Sequence, residues 1–227
     1  MSHQRGRAKF SNIDLLEKYH YIGFRHLLTK GNIMDFDLLF EEFPKRIIPY
    51  DYDAYAKNSG RYEMVATNCT TGCAEYFEEK SDPERIIDIV RASSSLPFVT
   101  PISYVDGRPM LDGGIADSIP VVRATEQGFD NCLVVLTRNA GYRKSAKPSF
   151  VPWFAYRRYP MLQEAIRHRN AEYNKQMELV ERLESEGRIT VIRPERPIEV
   201  GRMERDTHRL LALYNEGYDL ASKVEIG

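Results

Sequence analysis

The segment Asp112-Gly113-Gly114 has residue types and a spacing that could do chemistry. It directly follows a predicted strand and precedes a predicted helix that Ser118 and Pro120 open, so its carboxylate would lie at the carboxyl end of a strand. Such βα loops are where α/β folds place their chemistry, and two glycines let the backbone turn tightly beside the carboxylate. Asp-Gly-Gly is also a common turn, and from these residues alone a plain turn is the favoured interpretation.

The sequence contains no recognisable motif for a metal or a nucleotide. Its five histidines are scattered, and the pair Cys69 and Cys73 has no second cysteine pair to complete four ligands. Neither Gly-x-x-x-x-Gly-Lys nor Gly-x-Gly-x-x-Gly occurs. We therefore expect no metal and no cofactor.

Basic residues cluster at 138–147, 157–158 and 167–169. These clusters could form a surface for phospholipid head groups or nucleic acid, or they could be solvated charge that acids elsewhere balance. The chain has 32 Lys and Arg against 33 Asp and Glu, a net charge of −1, so no overall basic field attracts nucleic acid. We favour solvated charge and expect no nucleic-acid partner.

Three consecutive serines, Ser93, Ser94 and Ser95, end a predicted helix and have no His or Lys beside them in the sequence. Helix-end serines usually satisfy nearby backbone groups, and an unassisted hydroxyl is a weak nucleophile. We therefore do not expect a catalytic serine in this segment.

The elements that must position Asp112 alternate between strands and helices. Strands at 62–67 and 74–77 are predicted to form one hairpin, and a second hairpin around Asp106-Gly107 leads into Asp112. The other predicted elements are a helix near 35–43 that stops before Pro44, helices at 81–95 and 118–128, a strand at 132–136 buried on both faces, a helix at 159–186, a strand at 189–192, and a helix from 206 that buries Leu210, Leu211, Tyr214, Tyr218 and Ala221. This order predicts a single α/β domain over 1–227, with a mixed, mostly parallel sheet covered by helices.

The composition is that of a folded globular protein, with 42% hydrophobic and 29% charged residues. No apolar stretch approaches the ~18 residues of a membrane-spanning helix, and the first residues do not form a signal peptide. Three cysteines do not make a disulfide framework. We expect a soluble, cytoplasmic protein.

Four segments occur in an order and spacing typical of one family: Val65-Ala66-Thr67 followed by Thr71-Gly72, Ala-Ser-Ser-Ser-Leu-Pro at 92–97, Leu-Asp-Gly-Gly-Ile-Ala-Asp-Ser-Ile-Pro at 111–120, and Leu-Thr-Arg-Asn-Ala-Gly-Tyr-Arg at 136–143. Together they resemble the patatin-like phospholipases over essentially the whole chain, and the last segment looks most like the bacterial branch of predicted esterases. The resemblance implies a three-layer α/β fold and a serine acyl hydrolase that acts on lipids or esters.

The resemblance also implies a Ser–Asp dyad in which Asp112 is the aspartate, with Gly113 and Gly114 as its supporting turn. In that family the serine lies on a Gly-x-Ser-x-Gly turn, and a Gly-rich segment supplies oxyanion N–H groups. No two of the 14 glycines here are four positions apart, so Gly-x-Ser-x-Gly is absent. Residues 4–7 resemble sequence just beyond the nucleophile helix, so we expect the first strand, the oxyanion loop and the nucleophile to lie outside this chain.

Three functions follow from these observations. The first is a patatin-like lipid acyl hydrolase in transient contact with a membrane surface, of which this chain, inactive by itself, is the C-terminal part. The second is a complete, non-catalytic lipid- or partner-binding pseudoenzyme on the same scaffold. The third is nucleic-acid binding through the Arg-rich loop and helix, which the net charge disfavours. Acyl-chain preference and oligomeric state stay open.

Overall fold

A computed structural model describes residues 4–23, 34–201 and 204–224. The chain forms two compact units, and each is built from two separate stretches of sequence. Unit 1 comprises Met1–Asp117 and Ser149–Arg169, and unit 2 comprises Ser118–Pro148 and Asn170–Gly227. Because compactness does not establish whether the units fold separately, the single domain over 1–227 stays a prediction.

The described residues form both helices and strands, which confirms the α/β class. The helices are α1 (Arg7–Lys9), a π-helix (Phe10–Asp14), α2 (Leu15–Tyr19), a second π-helix (Leu38–Ile47), α3 (Tyr52–Lys57), α4 (Pro83–Ser93), a 3₁₀ turn (Gly113–Ile115), α5 (Val121–Glu126), α6 (Pro160–Ser185) and α7 (Thr207–Ser222). The strands are β1 (Glu63–Asn68), β2 (Ala74–Glu78), β3 (Ser103–Val105), β4 (Arg108–Asp112), β5 (Cys132–Val135) and β6 (Ile189–Ile192).

Unit 1 contains a four-stranded sheet in the order β2-β1-β4-β3, and all its pairings are antiparallel. Among the described strands, only β5 and β6 pair in parallel, so the predicted mostly parallel sheet is wrong for this part of the chain. The reason lies in the connections: the turns after β1 and after β3 are too short for the crossover that a parallel pair needs. Both hairpins were predicted correctly, and Asp106 and Gly107 have the positive φ values of a tight hairpin turn.

Helix α4 covers one face of this sheet. It begins where Asp82 accepts hydrogen bonds from the backbone N–H groups of Glu84 and Arg85, with Pro83 as its first residue, as predicted. The cluster between helix and sheet consists of Met64, Ala66, Phe77, Ile89, Ala92, Val105 and Met110. A second cluster in unit 1 consists of Cys69, Leu111, Ile115, Val151, Leu162 and Ile166. Residues on either side of Asp112 therefore lie in the core.

Unit 2 packs the parallel pair β5–β6 against the second part of α6. Its core consists of Ile119, Val121, Leu136, Tyr173, Met177, Val180, Leu183 and Ile189. Strand β5 is not buried on both faces as predicted, since Val135 is 68% exposed. Cys132 and Val134 pack against the core, whereas Leu133 and Val135 alternate to the opposite face.

Two helix predictions also need correction. The helix predicted to stop before Pro44 continues through it as a π-helix, in which the carbonyls of Phe43 and Pro44 accept hydrogen bonds from Ile48 and Tyr50. Phe43 packs edge-on against aromatic rings near α2, and this packing overrides the local preference of proline. Helix α7 contains no buried residue, so the prediction that it buries Leu210, Leu211, Tyr214, Tyr218 and Ala221 is wrong. Tyr218, for example, is 66% exposed.

Within the described ranges, no helix combines the length and the apolar character that crossing a membrane requires.

Candidate active site

Asp112 is the last residue of β4 and the first residue of the turn that follows. Its carboxylate Oδ1 accepts a hydrogen bond of 2.6 Å from the backbone N–H of Gly114, at the start of the 3₁₀ turn Gly113–Ile115. The side chain is half-buried. The sequence prediction of a carboxylate at the carboxyl end of a strand is confirmed, and the hydrogen bond holds that carboxylate in one orientation.

Gly113 lies where no other residue fits. A Cβ atom at this position would be 2.4 Å from the carbonyl oxygen of Val65 and 2.7 Å from its carbonyl carbon. Both atoms belong to the backbone of β1, so they cannot move aside without displacing the strand. Glycine is therefore required for the turn to pack against the sheet.

Thr67, on β1, forms hydrogen bonds with both ends of the turn. The sequence alone indicates no role for this side chain. Its hydroxyl donates a hydrogen bond of 2.8 Å to the carbonyl of Asp112 and accepts one of 3.2 Å from the backbone N–H of Ala116. The side chain is fully buried. A threonine among the apolar residues of a core strand is the one signal that could have identified it, because a buried hydroxyl needs partners.

The serine segment at the end of α4 fixes the other side of the turn. The backbone N–H of Asp112 donates to the carbonyl of Ser95 at 2.8 Å. The Ser95 hydroxyl donates to the carbonyl of Arg91 at 2.8 Å and lies 2.7 Å from the Ser103 hydroxyl, fully buried. These contacts agree with the helix-end interpretation of Ser95 and leave it no access to a substrate.

A second carboxylate in the turn, Asp117, has a structural contact. The Tyr76 hydroxyl donates a hydrogen bond of 2.6 Å to Asp117 Oδ2, and the Asp117 N–H donates to the carbonyl of Gly113 at 2.8 Å. These bonds join β2 to the end of the turn. The sequence motif at 111–120 contains Asp117 but does not predict its contact with β2.

The two cysteines near the site do not act as a pair. Cys69 is fully buried, and burial raises the pKa of its thiol to about 12, whereas Cys73 is exposed. In the part of the chain that the structure describes, no three His, Cys, Asp or Glu side chains come together as metal ligands.

Comparison of the sequence with known proteins shows the family to which the chain belongs. The sequence profile of the patatin-like phospholipases matches residues 4–125, more than half of the chain and the whole of the site. The chain belongs to the patatin-like phospholipase family. Residues 159–224 match a second family, a domain of unknown function, DUF6363.

One curated relative of this patatin-like protein is the uncharacterized protein YjjU of Escherichia coli (strain K12). The two sequences are 28% identical over 174 residues, which cover 74% of this chain and 48% of the relative. The patatin-like chain thus spans about half the length of the curated relative that it matches.

Proposed function

We propose that Asp112 is the aspartate of a Ser–Asp dyad in a lipid acyl hydrolase whose nucleophilic serine is not among these 227 residues. The observation that carries the proposal is the agreement between the patatin-like match over residues 4–125 and the construction of the Asp112 turn. The turn that carries this carboxylate is held by the buried Thr67 and Ser95 and packs against β1 at Gly113, where a side chain would clash. A plain surface turn needs none of these contacts.

The proposed reaction is acyl transfer from an ester to water in two steps. The Asp112 carboxylate accepts the serine proton as the serine oxygen attacks the ester carbonyl carbon, and the proton then passes to the departing alcohol as its bond to the carbonyl carbon breaks. Water next attacks the acyl carbon and gives a proton to Asp112. The bond between that carbon and the serine oxygen then breaks as Asp112 passes the proton to the serine oxygen, which releases the carboxylic acid and restores both residues. The aspartate must point in one direction throughout, and the Gly114 N–H and Thr67 contacts serve that purpose.

Substitution of Asp112 tests its role in the product of the gene, expressed with any sequence that is encoded in frame upstream of Met1. Asp112→Asn should lower kcat for a p-nitrophenyl ester at least about 1000-fold, since an amide cannot accept the serine proton. Asp117→Asn is the matched control, because an amide oxygen can still accept the Tyr76 hydrogen bond. Equal losses in both variants would mean that the turn only needs intact structure, and the assignment of Asp112 would be withdrawn.

A second candidate function is a non-catalytic lipid- or partner-binding protein on the same scaffold. The observation that favours it is the absence of Gly-x-Ser-x-Gly from the sequence. A fluorophosphonate that labels active serines separates the two proposals. Labelling of the upstream-extended form supports the hydrolase, and labelling of neither form supports the binding protein.

A further inference from the structure

Three aromatic side chains in unit 1 point into solvent from one short segment. Phe150 is 83% exposed, Trp153 76% and Phe154 65%. We call Phe150, Trp153 and Phe154 the aromatic display. The Trp153 and Phe154 rings lie 5.9 Å apart. Several large exposed apolar groups in one short segment mark an interaction site more often than single exposed residues do.

The backbone beneath the aromatic display is held firmly at both ends. Val151 is buried in the core cluster that also contains Leu162 and Ile166. On the other side, the Tyr156 hydroxyl accepts a hydrogen bond of 2.9 Å from the Phe98 N–H, and the two rings lie 5.3 Å apart. The exposed rings are therefore presented by an anchored turn.

The segment that carries the aromatic display is positively charged. Arg157 and Arg158 are both exposed, and the Arg157 guanidinium lies 5.5 Å from the centre of the Trp153 ring. Residues 149–163 contain these two arginines and no Asp or Glu. Aromatic rings beside cations match the boundary of a lipid bilayer with anionic head groups, where rings enter the acyl boundary and arginines meet phosphate.

We propose that the aromatic display, with Arg157 and Arg158, docks unit 1 onto the surface of a membrane that carries anionic lipids. The choice of a lipid surface as occupant rests on the proposed lipid hydrolase function. The position is suitable, because Val151 shares its core cluster with Leu111 and Ile115, which flank the Asp112 turn. Docking would therefore hold the candidate catalytic turn close to the interface that contains its substrate.

Trp153 is the chain's single tryptophan, so its fluorescence reports directly on docking. With vesicles of phosphatidylcholine and phosphatidylglycerol, we expect a blue shift of Trp153 emission and quenching by brominated acyl chains. Arg157→Ser/Arg158→Ser should weaken vesicle partitioning about 30-fold, at about fivefold for each cation near an anionic surface. Phe150→Ala/Phe154→Ala, which keeps the reporter, should weaken it at least about tenfold.

Matched controls separate docking from nonspecific adhesion. Tyr218→Ala removes an exposed aromatic residue from α7, and Arg205→Ser removes an exposed cation, so both should bind as the unchanged chain does. Four outcomes would overturn the proposal: no shift with any vesicle, equal binding to phosphatidylcholine alone, unchanged binding of either double variant, or self-association that the Phe150→Ala/Phe154→Ala variant abolishes. Vesicle binding is measured without ester turnover, so a failure of docking and a failure of the hydrolase proposal are told apart.

Discussion

Replacing Thr67 by valine tests whether the Asp112 turn depends on a single buried hydroxyl. Thr67→Val keeps the shape of the side chain and removes the oxygen that joins β1 to both ends of the turn. The carbonyl of Asp112 and the N–H of Ala116 each lose a part-buried hydrogen bond, of 2.8 Å and 3.2 Å, although the Ala116 N–H keeps a bond of 3.2 Å to the carbonyl of Gly113.

The size of the effect follows from these two bonds. Leaving a buried polar group without its partner costs about 1–3 kcal/mol, and because the Ala116 N–H keeps a partner, we expect a total cost of about 1–3 kcal/mol. Thr67→Ser is the matched control, because it keeps the hydroxyl and loses one methyl group, which costs about 1 kcal/mol. The difference between valine and serine isolates the hydrogen bonds from the packing.

Cys69 provides the assay, since it lies two residues from Thr67 in the core of unit 1. Its buried thiol, with a pKa raised to about 12, reacts with iodoacetamide only when the unit opens. In a chain with Cys73→Ser and Cys132→Ser, we expect Thr67→Val to accelerate the alkylation of Cys69 about 5- to 150-fold. If valine and serine gave the same rate, the two hydrogen bonds would not stabilise the turn and the reasoning would be wrong.

Two further predictions concern the turn and the start of α4. Gly113→Ala should destabilise the protein by about 1–3 kcal/mol in urea unfolding, because its Cβ meets the β1 backbone. Gly217→Ala on α7, where a Cβ meets nothing within 4 Å, should not destabilise it, and the reverse order would contradict the packing argument. The Ser81 N–H and hydroxyl and the Arg85 guanidinium lower the pKa of Glu79 to about 2. Its stabilisation is therefore full above pH ~4.5 and lost as the pH falls toward about 2. Glu79→Gln should cost about 1 kcal/mol at neutral pH and nothing at pH ~2, allowing for solvent screening; a difference independent of pH would refute it.

Local signals in the sequence predicted the elements around the candidate site well. Asp106-Gly107 allows only a tight hairpin, and Asp82-Pro83 provides both a capping side chain and a first helical residue. Apolar residues recur on α6 at intervals of three to four positions, and Leu162, Ile166 and Met177 among them are buried, as expected for one face of a helix. Asp112 could be located because short-range rules fix both the strand before it and the turn after it.

Long-range pairing could not be predicted in the same way. The antiparallel contact of Ala66 with Asp112 joins strands that are far apart in sequence, and no local pattern encodes it. The Thr67 hydrogen bonds to the turn and the close approach of Gly113 to Val65 depend on that register, so they became visible only in the structure. The exposure of Val135 follows from which elements cover β5, and a run of apolar residues does not carry this information.

The most direct test of the central claim is fluorophosphonate labelling of the 227-residue chain beside a form extended by any sequence encoded in frame upstream. We expect the probe to label the extended form alone. We also expect that form to hydrolyse esters, and this activity should be abolished by Asp112→Asn and preserved by Asp117→Asn. Labelling of neither form, or activity that survives Asp112→Asn, would contradict the assignment of Asp112 as half of a catalytic dyad.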